Sequence, residues 1–92
     1  MLTDYGVLME QVALVDERID PVAIHRQLMI CRRIRGLRER AGLTQNEVAE
    51  KLCVSQAAYC RLERGEIEIS LTRMIALGEL YGVPLHSLLE GL

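Results

Sequence analysis

Residues 43–65 read LTQNEVAEKLCVSQAAYCRLERG, and the rest of the chain is interpreted outward from them. Thr44 stands three residues before Glu47, a T-x-x-E capping box that opens a helix. Val48, Ala49 and Leu52 then fall on one side of it. Ser55 caps a second short helix with Tyr59 and Leu62 facing inward, and Arg64-Gly65 ends it. A turn of roughly three residues separates the two helices. The apolar positions 48, 49, 52, 54, 59 and 62 are those through which two crossed helices bury each other.

The flanks follow the same helical period. Downstream, Ser70 opens a helix whose inner face is expected to include Leu71, Met74, Ile75, Leu77 and Leu80, with Gly82 ending it. Pro84 starts a last short helix carrying Leu85, Leu88 and Leu89. Glu66 to Ile69 alternates like a strand, but four residues between helices read as an extended loop. Upstream, Asp20-Pro21 marks a boundary, with Asp as N-cap and Pro at the first helical position. A helix from Pro21 towards Arg40 would turn Ile24, Leu28, Cys31, Ile34 and Leu37 inward and reach roughly 30 Å. Ala41-Gly42 ends it, and Gly36 offers a place to weaken or bend it. Before it, Tyr5, Leu8, Val12, Val15 and Ile19 step by three and four residues, the mark of one helix face. The expected architecture is all-α: a helical extension over residues 1–29 and a compact domain over 30–92.

Composition narrows the class. The 92 residues are 50% hydrophobic and 26% charged, enough for one small domain with an arm. All three aromatics are Tyr, which counts against single-strand nucleic-acid modules built on stacking platforms. The net charge of −2 divides into blocks. Residues 1–25 set one Arg against five acids, 26–64 nine basic side chains against four acids, and 65–92 one Arg against four acids. Ten of the eleven basic residues are Arg, the side chain suited to bidentate contact with phosphate and guanine. A basic centre between acidic ends points to a polyanion for that face, against the plainer reading of a solvated helix.

Other classes find little support. Cys31, Cys53 and Cys60 form no C-x-x-C pair, and His25 and His86 fall in no ligand pattern, so no metal and no cofactor are expected. Free buried thiols in a reducing cytosol are the plain reading, a redox switch the sharper one. The opening Met-Leu-Thr-Asp carries no early basic residue and no apolar run approaches the ~18–20 residues that span a bilayer, so no signal peptide is expected, and the expectation is a soluble cytoplasmic protein without membrane contact. No nucleophile–base set or Gly-rich phosphate loop is present, so an enzyme is not expected.

Two short capped helices with a tight turn form the helix-turn-helix pattern. In this stretch, and from about Ile30 to Leu89, the chain resembles the phage repressor and Cro type of helix-turn-helix, also called the xenobiotic-response-element (XRE) type. The resemblance includes IRGLRERAGLTQNEVAEKL before the turn, VSQAAYCRLERG after it and the tail ISLTRMIALGELYGVPLHSLL. It implies a five-helix domain acting as a homodimeric, sequence-specific transcription regulator, a repressor among the candidates. Such a protein would read an inverted repeat of double-stranded DNA with its recognition helix in the major groove. Carried over by position, Gln45 would meet a phosphate at a helix N-terminus, where backbone N–H groups favour anions. The helix-capping Thr44 and Ser55, together with Arg64 and Arg40, are the other expected phosphate contacts. Gln56, Ala57, Cys60 and Arg61 share the face opposite Tyr59 and Leu62. Gln suits adenine, Arg suits guanine, and the two small residues let the helix approach. Arg38 and Glu63 match a pair that holds the first helix to the end of the recognition helix.

Two features depart from the family pattern. Cys53 occupies the turn position where Gly is favoured for a left-handed backbone, at a cost of roughly 1 kcal/mol. Residues 1–29 exceed the minimal domain, and their apolar stripe needs cover. It could fold back on its own domain, pack on a partner subunit, or dock a second protein. Leu71, Met74, Leu77, Leu85 and Leu88 give the last helices apolar surface for a homodimer. The competing functional reading is a helix-turn-helix protein-interaction module, antitoxin-like or regulator-binding, with no operator of its own. Gln56, Arg61 and the basic centre favour DNA.

Overall fold

The structure, a computed structural model, describes residues 20–92, so the stripe expected at residues 5–19 lies outside the described residues. Among the described residues there are five helices and no strand: α1 (Pro21–Arg40), α2 (Gln45–Leu52), α3 (Gln56–Glu63), α4 (Leu71–Tyr81) and α5 (Leu85–Leu89). None is long and apolar enough to cross a membrane.

Local chemistry accounts for the helix ends. The Asp20 carboxylate accepts the Val22 N–H at 2.9 Å, with Pro21 beginning α1. Arg38 and Arg40 in its last turn sit where the helix dipole favours cations. The helix runs unbroken through Gly36 and across the expected division between residues 29 and 30. Its first half is part of the domain: Ile24 is buried and Leu28 lies against Gly65. Gly65 has φ +75°, a backbone conformation that favours glycine, and a Cβ there would displace the tip of the Leu28 side chain. Ser70 caps α4 by accepting the Arg73 N–H at 3.1 Å. Residues 66–69 form the expected connecting loop.

Ile34, Val48, Ala49, Tyr59, Leu62, Leu77 and Leu88 form one buried cluster. Each fully buried Val, Leu or Ile side chain among them contributes about 1.5–3 kcal/mol. Two of these residues were expected at a dimer surface. Leu77 and Leu88 are instead 0% and 1% exposed, because their side of α4 and α5 closes the chain's own core. Conversely, Leu71 and Ile75, expected on the inner face of α4, are 58% and 42% exposed. They lie one helical turn apart on a face shared with half-buried Met74. An open apolar hollow of about 370 Å³ lies beside Val22, Ile30, Ile69, Met74, Leu89 and Leu92.

Candidate nucleic-acid interface

α2 and α3 are placed by reciprocal caps and one strained turn. Thr44 Oγ1 accepts the Glu47 N–H at 3.1 Å, and Glu47 Oε1 accepts the Thr44 N–H at 2.8 Å. These bonds hold the Glu47 carboxyl below the usual carboxylate range. Cys53 ends α2 with φ 58° and ψ 41°, the left-handed conformation its position demands, and Val54 N–H returns to Ala49 O at 3.0 Å. Ser55 Oγ then accepts the Ala58 N–H at 3.0 Å and starts α3.

The turn leaves α3 two-sided. Tyr59 and Leu62 are 0% and 2% exposed, while Gln56, Ala57 and Arg61 are exposed and Cys60 is half-buried. Positions 56, 57, 60, 61 and 64 share one side of a 3.6-residue helix, so the expected base-reading side chains do form a face. Ahead of it, the first-turn N–H groups of Gln45, Asn46, Gln56 and Ala57 find no acceptor among the described residues. Unsatisfied N–H groups at helix starts attract anions. Thr44 and Ser55 are exposed and use their hydroxyl oxygens as caps, which leaves each O–H proton free to donate outward.

Behind this face lies a buried polar knot. Arg38 Nε donates to Glu63 Oε2 at 2.6 Å and Arg38 Nη2 to Glu63 Oε1 at 3.2 Å. Arg38 Nη1 donates to the Leu43 carbonyl at 2.9 Å, and Gln45 Nε2 donates to Glu63 Oε1 at 3.1 Å. Burial pushes the Glu63 pKa upward, but Arg38, Tyr59 and Gln45 outweigh it and hold the carboxyl below its ordinary value. The buried Tyr59 and Tyr81 hydroxyls lack a well-formed hydrogen bond. Burial, then the neighbouring Glu63 and Tyr81, raise the Tyr59 phenol's pKa well above its usual range.

The remaining expected contacts are placed unequally. Arg64 is exposed and pairs with Glu66, Nε to Oε2 at 2.8 Å. Arg40 leaves α1 in a different direction from Arg38. It follows Arg38 by two residues, about 200° around the helix. It therefore folds over Gly36 and borders a separate hollow with Arg32, Arg33, Val83 and Ser87. Arg33 is engaged structurally, donating from Nη1 to the Leu88 carbonyl at 3.0 Å. Cys31 is buried, and burial pushes its thiol up to about 11, so it stays protonated at neutral pH. All three thiols are free, but the expectation of burial holds only for Cys31: Cys53 is exposed at the end of α2, and Cys60 is half-buried on α3. The link from Gln45 to Glu63 was missed from the sequence, since 18 residues separate them with no shared period.

Comparison with known proteins agrees with this geometry. Residues 34–88, more than half of the chain, match the Helix-turn-helix family. The HTH-type transcriptional regulator DdrOP3 of Deinococcus deserti is 36% identical over 64 residues, which is 70% of this chain and 50% of that protein. The chain thus spans about half the length of the curated relative it matches. No solved structure gives a significant match. Capped α2, left-handed turn, two-sided α3 and the matched span together make this chain a member of the XRE-type helix-turn-helix family.

Proposed function

We propose that the chain is a sequence-specific regulator of transcription that binds double-stranded DNA as a homodimer on an inverted repeat, with α3 in the major groove. The observation that carries this reading is the two-sided α3. Its inner side is locked into the core by Tyr59 and Leu62, while Gln56, Ala57 and Arg61 stand exposed together. Gln56 can donate to and accept from an adenine edge, and the Arg61 guanidinium can donate to the O6 and N7 acceptors of guanine. Half-buried Cys60 is the base contact that depends most on a close approach. Thr44, Gln45 and Ser55, with the free N–H groups beside them, serve as phosphate contacts that set position without reading sequence. Arg64 adds a cationic contact when it exchanges Glu66 for phosphate.

The dimer surface in this reading is the exposed apolar patch of Leu71, Ile75 and Leu89 with half-buried Met74 and Leu85. Selecting bound sites from random duplex DNA tests the whole reading. The expected result is an enriched palindrome whose half-sites lie one or more helical turns apart. Recovery of random sequence, with duplex affinity no better than that of a charge-matched protein, contradicts it and favours the protein-interaction module.

A further inference from the structure

Glu63 is 8% exposed and too deep to touch DNA, yet it binds a residue of the proposed phosphate site. Its carboxylate can only accept, so the Gln45 amide must turn its nitrogen inward. One N–H is spent on Glu63 at 3.1 Å, which leaves the amide a second N–H to donate. Arg38 keeps this arrangement fixed from two directions. Its guanidinium holds both Glu63 oxygens, and its Nη1 holds the Leu43 carbonyl, directly before the Thr44 cap. The knot therefore joins the end of α3 to the start of α2 through a single buried carboxylate.

We infer that Glu63 is a positioning residue for DNA binding, which acts by fixing the Gln45 amide for a phosphate. This rests on the reading that Gln45 meets a phosphate and adds the residue that prepares it. A glutamine side chain is rich in rotamers, and ordering it in advance removes part of the cost of binding. The effect is uniform across duplex sequences because a phosphate contact carries no base information.

The test is duplex affinity of the full chain, measured on a preferred and an unrelated duplex. The variants are Gln45→Ala, Glu63→Gln and their combination, with thermal unfolding recorded for each. Should Glu63→Gln fail to fold, the paired change Arg38→Met with Glu63→Met removes both buried charges and still frees Gln45. The expected result is a loss of roughly two- to tenfold on both duplexes, which disappears when residue 45 is already Ala. The Gln45 side-chain amide resonances should also shift in the folded Glu63 variant without DNA. A Glu63 effect of the same size in the Gln45→Ala background shows a merely structural role and overturns the inference, as does unchanged affinity in folded Glu63 variants. If Gln45→Ala itself binds like the wild type, the phosphate role and the positioning role fall together. Base reading by α3 would then still stand or fall on its own variants.

Discussion

Two arginine–glutamate pairs meet at the end of α3, one facing the core and the other facing solvent. Arg38 and Glu63 have side chains 12% and 2% exposed, a bidentate contact, and further bonds to Leu43 and Gln45. Arg64 and Glu66, which directly follow Glu63 and Gly65, are 57% and 32% exposed and share a single 2.8 Å contact. The chemistry is the same and the environment is not. A buried charge left without its partner cannot be rescued by water, whereas an exposed pair exchanges partners at little cost. The inner pair is accordingly architecture, and the outer pair is free to exchange partners at the edge of the proposed DNA face.

The widest separation between the pairs should appear in Arg38→Ala. It strands the Glu63 carboxylate in the core and should destabilise the fold by about 3–5 kcal/mol, measured by chemical denaturation. A loss below about 1 kcal/mol would erase the distinction, because that is the scale of exposed pairs. The inner pair also has a pH signature. Glu63 has a lowered folded pKa, so its contribution is fully present above the usual glutamate value of 4.5 and fades as pH falls through the folded value. Stability of the wild type should therefore drop below that pH more steeply than stability of Glu63→Gln. Parallel acid profiles for the two proteins would remove Glu63 as the titrating group.

A smaller effect is expected at the turn between α2 and α3. Cys53 holds φ 58° with an exposed side chain, so Cys53→Gly should stabilise the fold by about 0.5–1 kcal/mol. Destabilisation would mean that the thiol makes a contact worth more than the strain. The smallest stability change belongs to the outer pair. Arg64→Ala should cost less than about 1 kcal/mol in folding, yet lower the salt slope of DNA binding by about one. An unchanged salt slope would show that Arg64 never meets a phosphate.

The same contrast between local and distant causes explains what the sequence disclosed. The caps at Asp20, Thr44, Ser55 and Ser70 were legible because each depends on residues two or three positions away. The strained Cys53 followed from its place in a recognised turn. The packed side of α4 was not legible. Leu71 and Leu77 lie about 120° apart around a helix, too far for both to face the same neighbour. Only the positions of the other helices decide that Leu77 goes inward and Leu71 remains out. For the same reason the course of Arg40, which folds over Gly36 beside Arg32 and Arg33, was not legible from its charge. The face of α3 could be read because Tyr59 and Leu62 mark its inner side and leave Gln56 and Arg61 opposite.

That face is tested most directly by binding Arg61→Ala and Gln56→Ala to a panel of single-base variants of the selected operator. Each substitution should cost about 1–3 kcal/mol at the preferred site and relax the choice at one base position per half-site, a different position for each. If both variants lower every affinity equally and keep the wild-type sequence preference, α3 is not the reader and the account fails at its centre.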